Sequence, residues 1–313
     1  MLPRVLYMGT AELACPPLVA LHASPVADVV GVVTQPDRPG GRKLKSRPSF
    51  VKQCALDLGL PVIQPQTLRT PEAIEQLAAF EPDLFVVTAF GQILPQSALD
   101  LPQYGALNVH VSLLPRHRGA APIQWAILEG DTETGVTLMR MDAGLDTGDI
   151  ISTVKTKITE GDTAQTLHDR LAQMGAVLLT ESLSGYLDGT RKPVSQDDAR
   201  STYARKILKQ DGQIDWTEPA GTILRKLRAL APWPGIFTYL PTDKLRLVKI
   251  QSANISITEG IAGEVLSAGE DGILIGCGKQ SLNLLQLQRE GSRSLSSGDF
   301  LNGFPLRAGQ KLS

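Results

Sequence analysis

The chain has 313 residues, of which 42% are hydrophobic and 20% are charged, a composition typical of a globular protein long enough for two domains. Its three cysteines are too few and too widely spaced for a disulfide framework or a zinc site, and no run of about 18 apolar residues predicts a membrane span. The net charge is −1, with 15 Lys and Arg against 10 Asp and Glu from Arg200 onward and 16 against 22 before it, an imbalance that fits either a polyanionic partner or chance. The N-terminal residues lack a signal-peptide pattern, so we expect a cytoplasmic protein.

Short apolar runs alternate with helix-like segments through the first half of the chain. The predicted strands are Arg4–Gly9, Asp28–Thr34, Pro61–Pro65, Asp83–Phe90, Ala106–Ser112, Gly135–Met141 and Asp149–Ile158. The predicted helices are Glu12–His22, Ser49–Gly59, Thr70–Phe80, a segment from about Ala121 to Leu128, and Thr163–Leu187. Ser49 and Thr70 stand at N-cap positions, and Gly59 at a C-terminal stop. This alternation predicts an α/β fold with a doubly wound parallel sheet.

The rest of the chain has a different character. Asp188–Ser201 is polar and irregular, as expected of a linker, and Ala220–Leu230 is a predicted helix. Five short β-rich runs then follow, at Ile236–Leu240, Lys244–Gln251, Gly263–Ala268, Gly272–Cys277 and Ser281–Gln288. Their even spacing predicts a small β-barrel. Trp216 and Trp233 could stack on nucleic-acid bases, but we expect both to be packing residues.

Asn108 and His110 stand two residues apart in one predicted strand, so their side chains share a face. A doubly wound sheet binds its ligand at the carboxyl ends of its strands, which is where this pair lies. A glycine-rich loop supplies Asp142, Asp146 and Asp149, and one of these could orient the imidazole and stabilise its charged form. Singly, such residues are usually structural. Together they could stabilise an oxyanion and move a proton in acyl or formyl transfer.

The sequence lacks the motifs of dinucleotide-binding enzymes and of serine hydrolases. The first strand ends with Gly9 alone, without the three glycines of a dinucleotide-binding turn. A GxSxG nucleophile motif is also missing from the sequence. Direct attack by a group of the substrate is therefore the expected reaction.

The motifs resemble those of the folate-dependent formyltransferases, and most closely those of the branch that formylates methionyl-tRNA. The resemblance spans Met1 to about Leu306. The motifs that carry it are Asn108-x-His110 followed by SLLP at Ser112–Pro115, RGAAPI at Arg118–Ile123, GVTLMRMDAGLDTGDI at Gly135–Ile150, TQPDRPGGR at Thr34–Arg42, YARKILKQDGQIDW at Tyr203–Trp216 and LRALAPWPG at Leu227–Gly235.

The resemblance implies a Rossmann-like formyltransferase domain at 1–189, a linker at 190–208 and an OB-like β-barrel that binds tRNA at 209–313. It implies formyl transfer from 10-formyltetrahydrofolate to the amino group of initiator methionyl-tRNA, without a metal. Carried onto this sequence, the catalytic residues are Asn108, His110 and Asp146. The folate contacts are Ser112, Leu113, Leu114 and Pro115.

Basic residues supply the expected tRNA contacts. Arg38, Arg42, Lys43 and Lys45 lie in a segment with two adjacent glycines and no acidic residue, which alone would be read as a solvated loop. Lys206 and Lys209 would share a face if they stood on a helix. All six are predicted to contact backbone phosphate. The roles of Arg116, His117 and Arg118 are left open.

Two alternatives remain at this point. Another folate-dependent formyltransferase would act on an amino sugar or a phosphoribosyl amine with the same Asn, His and Asp. A non-catalytic RNA-binding module would keep the fold without turnover. For the favoured function we expect a monomer that acts away from membranes.

Overall fold

The computed structural model describes residues 1–40, 45–241 and 246–313. The chain forms two compact units. The first unit contains Met1–Pro122, Glu133–Lys157 and Leu167–Arg205; the second contains Ile123–Thr132, Ile158–Thr166 and Lys206–Ser313. Most of the segment predicted as a linker therefore belongs to the first unit.

The predicted elements form with small shifts at their ends. The strands are β1 (Arg4–Gly9), β2 (Asp28–Val33), β3 (Arg38–Gly40), β4 (Lys45–Arg47), β5 (Val62–Ile63), β6 (Leu84–Thr88), β7 (Ala106–His110), β8 (Arg118–Gly119), β9 (Glu133–Arg140), β10 (Ile150–Lys157), β11 (Tyr203–Ala204), β12 (Ile236–Leu240), β13 (Arg246–Ser256), β14 (Val265–Gly269), β15 (Gly272–Gly276), β16 (Ser281–Arg289) and β17 (Ser294–Ser296). The helices are α1 (Cys15–His22), α2 (Phe50–Asp57), α3 (Pro71–Ala78), α4 (Gln96–Leu99), α5 (Pro122–Leu128), α6 (Ala164–Leu187), α7 (Ala220–Leu230) and α8 (Ser297–Gly303). Short 3-10 turns stand at Glu12–Ala14, Asp198–Arg200 and Lys209–Gly212.

Local signals in the sequence explain where helices begin and end. The Ser49 hydroxyl accepts a hydrogen bond from the backbone N–H of Lys52 and so caps α2. Thr70 caps α3 in the same way through Ala73. Gly59 follows α2 with a φ of 71°, the left-handed conformation that ends helices at glycine. Both predicted N-caps and the predicted stop are confirmed.

The first unit is built on a seven-stranded sheet with the order β10-β9-β7-β6-β1-β2-β5. The five strands from β7 to β5 run parallel, which confirms the predicted doubly wound α/β fold. Strands β9 and β10 are antiparallel to their neighbours, a departure from an all-parallel sheet. The chain runs outward from β1 to β2 and β5 and then returns to β6 on the other side of β1. This reversal of strand order is where such sheets bind ligands.

Strand β6 lies at the centre of the sheet, and all of its residues are buried. Phe85 and Val87 on this strand belong to a core cluster with Leu6 and Met8 of β1. The burial of each such side chain contributes about 1.5–3 kcal/mol to folding. The core thereby fixes the strand ends that carry the polar residues described below.

The second unit contains an antiparallel sheet with the order β12-β13-β16-β15-β14 and with β17 paired to β16. The C-terminal residues connect its two edges. Ser313 exchanges backbone hydrogen bonds with Tyr239 of β12, and the backbone N–H of Val265 in β14 donates to the carbonyl of Gln310. The sheet thus closes into a small barrel, as expected of the predicted OB-like domain. Among the residues that the structure describes, no helix has both the length and the apolar character needed to cross a membrane.

Candidate active site

A cavity of about 490 Å³ opens at the carboxyl ends of β1, β6 and β7, within the first unit. Much of its wall is apolar. The apolar lining residues include Leu13, Val87, Phe90, Ile93, Leu94, Val109, Met139, Met141 and Leu145. Asn108, His110 and Asp146 stand in the same wall, together with the polar side chains of Gln92 and Asp142. A mostly apolar pocket with a few converging polar groups is the usual form of a small-molecule site.

The structure brings the three predicted catalytic residues together. The Asn108 side-chain amide donates a hydrogen bond from Nδ2 to Oδ1 of Asp146 over 3.2 Å. The Nδ1 atom of His110 lies 3.7 Å from the same carboxylate oxygen. Only 7% of the His110 side chain and 14% of the Asp146 side chain are exposed. The period-two spacing of Asn108 and His110 on β7 therefore places both groups against one carboxylate.

One hydrogen bond of His110 shows which of its ring nitrogens faces the carboxylate of Asp146. Nε2 lies 3.0 Å from the carbonyl oxygen of His117, which can only accept, so Nε2 carries a proton and donates it. Nδ1 is then the ring nitrogen that faces Asp146. At 3.7 Å the contact between Nδ1 and the carboxylate is too long for a hydrogen bond. When Nδ1 also carries a proton, it can donate to a substrate oxygen.

Asp146 is held in a strained loop. Its φ of 54° lies in the left-handed region, which costs a non-glycine residue roughly 1 kcal/mol or more. Its second carboxylate oxygen, Oδ2, accepts a hydrogen bond from the backbone N–H of Gly119 over 2.8 Å. Asp142 instead accepts from Gly144 and Thr147 within the loop. Of the three candidate acids, Asp146 is therefore the one that meets His110, and Asp142 stabilises the turn.

Comparison with known proteins identifies the family. A family model described as formyl transferase matches residues 4–183, and a model of the formyl transferase C-terminal domain matches residues 206–305. A methionyl-tRNA formyltransferase from Citrifermentans bemidjiense is 48% identical over 98% of this chain and 95% of its own length. One from Pseudomonas putida is 49% identical over 96% of this chain and 95% of its own. The chain belongs to the methionyl-tRNA formyltransferase family.

Solved structures of more distant proteins share the fold. WlaRD, described as a sugar 3N-formyl transferase with dTDP and 5-N-formyl-THF, is 20% identical with a TM-score of 0.67, and the match covers 94% of this chain and all of that one. HypX from Aquifex aeolicus, solved with tetrahydrofolic acid, is 18% identical with a TM-score of 0.62, over 100% of this chain and 51% of its own. At these identities the likeness concerns the fold.

The predicted folate contacts Ser112, Leu113, Leu114 and Pro115 do not line the cavity that holds the predicted catalytic residues. Leu113, Leu114 and Pro115 instead line a separate cavity of about 450 Å³. The hydroxyl of Thr137 explains this placement, because it donates to the carbonyl of Ser112 and accepts from the backbone N–H of Leu114. These bonds turn the chain away from the catalytic cavity. The folate role of this segment stays a prediction, and the structure places its residues elsewhere.

The basic segment predicted to contact tRNA is only partly described. Arg42 and Lys43, and the side chains of Arg38 and Lys45, lie outside the described residues. Backbone pairing of β3 with β4 makes the segment's ends a two-stranded ribbon, where the sequence had predicted a loop. The preceding Asp37 is anchored by Lys52, with 2.7 Å between Nζ and Oδ2. The hydrogen bond from Lys52, with a second from Gln64, lowers the pKa of the Asp37 carboxyl.

Lys206 and Lys209 are both exposed, but the helix that would have aligned them is absent. A 3-10 turn begins only at Lys209, because the Asp211 carboxylate accepts from the backbone N–H of Leu208 and closes the turn there. The premise that Lys206 and Lys209 share a helical face is therefore wrong. Their contact with tRNA phosphate stays a prediction that rests on charge and exposure.

The two tryptophans differ. Trp216 is 4% exposed, and its indole N–H donates to the hydroxyl of Thr238 over 3.0 Å, so the packing prediction is confirmed for it. Trp233 is 58% exposed, and the same prediction is wrong for it. Its turn is held by neighbouring groups, since Pro234 is buried and the ammonium of Lys249 donates to the Pro234 carbonyl over 2.8 Å. The turn therefore does not need the indole to be buried.

The sequence also missed residues that support the site. Arg118, to which the sequence assigns no role, is buried and contacts Gln196 from the predicted linker. His117 supplies the carbonyl that fixes the His110 ring. Neither role has a sequence signal, because backbone carbonyls have no motif and Gln196 stands in an irregular polar stretch. Within the described ranges, no group of three or more His, Cys, Asp or Glu could hold a metal ion.

Proposed function

We propose that this chain transfers the formyl group of 10-formyltetrahydrofolate to the amino group of methionine on initiator methionyl-tRNA. The observation that carries the proposal is the meeting of Asn108, His110 and Asp146 in a mostly apolar cavity at the switch point of the sheet. The names of relatives that are almost half identical over nearly the whole chain support the choice of substrate.

The three side chains suit nucleophilic addition to a formyl carbon. Asn108 donates one N–H of its amide to Asp146, and its other N–H can donate to a developing oxyanion. Protonated His110 donates to the same oxyanion from Nδ1, the nitrogen that Asp146 faces. Each such donor contributes about 10²–10³ to the rate because it is desolvated and fixed before the reaction.

Proton transfer completes the reaction. As the methionyl nitrogen forms its bond to the formyl carbon, it must lose a proton, and the Asp146 carboxylate is the available acceptor. The oxyanion then re-forms the carbonyl, the bond from the formyl carbon to N10 of the folate breaks, and N10 takes up the proton that Asp146 accepted. In this scheme Asp146 stabilises the charge on His110 and accepts the proton of the amine.

The cavity suits the heteroaromatic ring of a folate. A flat ring can pack against Phe90, Ile93 and Leu145, while its polar edges meet backbone groups at the strand ends. A polar cavity of about 380 Å³ shares Gly91 and Gln92 with this wall and leads toward the basic segment that follows Asp37. We assign the ring to the apolar cavity, and the charged tRNA end to the side that faces the basic segment.

The tRNA is held mainly through its phosphates. The excess of basic residues from Arg200 onward, together with Arg38, Arg42, Lys43, Lys45, Lys206 and Lys209, supplies cations for backbone contacts that do not depend on sequence. An OB-like barrel is a common platform for such binding.

The alternative acceptor is a small amine. The structures that share the fold include a sugar N-formyl transferase, but at 20% identity, against 48% for a methionyl-tRNA formyltransferase. A non-catalytic RNA-binding module would have no need of the buried contact between His110 and Asp146.

The test is an assay of formyl transfer from 10-formyltetrahydrofolate with three acceptors: methionyl initiator tRNA, an amino sugar nucleotide and a phosphoribosyl amine. We expect turnover with the charged tRNA and background with the other two. Turnover with a small amine alone would contradict the proposal, and binding of tRNA without turnover would identify a non-catalytic module.

A further inference from the structure

The segment Val194–Ala204, which we call the arm, is hydrogen-bonded to the first unit at both ends. Val194 exchanges two backbone hydrogen bonds of 2.8 Å with Ile150 in β10. At the other end, strand β11 pairs in parallel with β8. The sequence predicts the arm as part of a linker, but its ends are fixed beside the loop that carries Asp146.

Within the arm, the side-chain amide of Gln196 makes four hydrogen bonds. Its Nε2 donates to the backbone carbonyls of Asp146, over 2.9 Å, and Gly148, over 2.7 Å. Its Oε1 accepts from Nε and Nη2 of Arg118, over 3.1 and 2.9 Å. Both protons and the oxygen are therefore in use, and the orientation of the amide is fully determined.

Arg118 and Gly119 connect the arm to the side chain of Asp146. The Arg118 guanidinium also donates to the Asp198 carboxylate over 2.7 Å, so both of its partners belong to the arm. The next residue, Gly119, donates its backbone N–H to the side chain of Asp146. Asp146 is thus fixed at its backbone carbonyl by Gln196 and at its carboxylate by Gly119.

The arm also fixes the partner of His110. The Thr202 hydroxyl accepts a hydrogen bond from the backbone N–H of His117 over 2.9 Å. The carbonyl of Thr202 accepts from the backbone N–H of Arg118 over 2.9 Å. His117, which has a φ of 61°, is held so that its carbonyl accepts from the His110 ring.

We propose that Gln196 is a positioning residue for formyl transfer, which holds the strained Asp146 at the distance from His110 that the reaction needs. The inference rests on the proposed function for the identity of the reaction. A non-glycine residue keeps a left-handed conformation only where surrounding contacts hold it there. Asp146 has this conformation, and the Gln196 amide donates to its carbonyl and to that of Gly148.

The decisive variant is Gln196→Glu. It keeps the size of the side chain and the acceptor for Arg118, but it points a carboxylate oxygen at two carbonyl oxygens. We expect kcat to fall about 10- to 100-fold, because a small displacement of a catalytic group has effects of this size, with KM for folate and for tRNA within about twofold of wild type. As the pH falls, protonation of the new carboxyl restores one donor, so the ratio of variant to wild-type kcat should rise. Gln196→Ala should lose a similar factor without recovery at low pH.

Two controls keep the result interpretable. Gln173→Glu makes the same change of charge on the exposed face of α6 and should leave kcat unchanged. Hydrogen exchange of the 142–149 loop, measured without substrate, should be faster in Gln196→Glu than in wild type or Gln173→Glu. This second readout does not depend on turnover, so it tests the proposal even if the wild-type protein fails to formylate methionyl-tRNA.

Several outcomes would overturn the inference. One is a kcat for Gln196→Glu within twofold of wild type. Another is a loss of kcat that follows the loss of thermal stability at every pH, which would show that Gln196 only holds the fold. Unchanged exchange in the 142–149 loop would also contradict it.

Discussion

The two units of the molecule use charge differently. In the first unit, polar groups converge, so that His110 and Asp146 are nearly buried and each has fixed partners. In the second unit, charged groups form separate contacts: Lys226 pairs with Glu218, and Arg225 donates to the carbonyl of Leu128. Stabilising a transition state needs a few desolvated groups in fixed geometry, whereas phosphate binding needs only accessible positive charge. Substitutions of the buried, converging groups should therefore lower kcat, whereas substitutions of the exposed cations should raise KM for tRNA.

The largest effect is expected at His110. His110→Ala removes one oxyanion donor, so kcat should fall by about 10²–10³ while the KM for each substrate changes little. Steady-state formylation of methionyl-tRNA at saturating folate measures this. The matched control is His168→Ala, because His168 pairs with the exposed Asp169 on α6 and should keep normal turnover. Near-normal kcat in His110→Ala would contradict the proposed role of His110 as an oxyanion donor.

The next effect is expected at Gly119, where the arm approaches β8. Its φ is 116°, and an added Cβ would lie 2.8 Å from the carbonyl oxygen of Ala204. Gly119→Ala should lower the free energy of unfolding by about 1–3 kcal/mol, and it should also lower kcat because Gly119 donates to Asp146. Thermal unfolding and turnover should be measured together.

Gly189→Ala is the control for this prediction, because Gly189 has a φ of 75° but no atom within 4 Å of the added Cβ. Gly189→Ala should lower the free energy of unfolding only by the backbone strain of alanine at this φ, and it should leave kcat unchanged. Equal kcat in Gly119→Ala and wild type would show that the contact between the arm and β8 does not affect turnover.

A smaller effect is expected for the cations. Lys206→Ala or Arg42→Ala should raise KM for tRNA at constant kcat and reduce the salt slope of binding by about 0.7–0.9 for each phosphate that is no longer neutralised. Binding of tRNA at several salt concentrations measures the slope. Lys206→Arg keeps the charge and should resemble wild type. An unchanged slope in Lys206→Ala would exclude direct phosphate contact by this residue.

The smallest effect is expected at Trp216. Trp216→Phe removes the indole N–H that Thr238 accepts, at a cost of about 1 kcal/mol in unfolding free energy with kcat unchanged. Trp233→Phe is the control, since this side chain is 58% exposed and its change should leave the unfolding temperature as it was. A loss of kcat in Trp216→Phe that exceeded its loss of stability would mean that the second unit takes part in the chemistry.

The parts of the molecule that local rules determine could be predicted from the sequence. The caps Ser49 and Thr70 act within one helical turn, and the period of two in β7 fixes the shared face of Asn108 and His110. Helix α7 begins and ends where its apolar period predicts. In each of these cases the interacting residues are within a few positions of one another.

The parts that depend on distant contacts could not be predicted. Gln196 contacts Asp146 across 50 positions, and Thr137 determines the turn at Ser112 across 25. Trp233 is exposed because Lys249 and the buried Pro234 hold its turn. No local pattern encodes such pairs, so the sequence predicted the side chains that meet in the cavity but not the residues that hold them in place.

The most direct test of the central claim compares wild type with Asp146→Ala in formyl transfer from 10-formyltetrahydrofolate to methionyl initiator tRNA. Asp146 faces His110 and accepts from Asn108, so its removal should lower kcat by at least about 10². The fold should be retained, and the KM for tRNA should stay close to that of wild type. Turnover by Asp146→Ala within a few fold of wild type would contradict the claim that these three side chains carry the reaction.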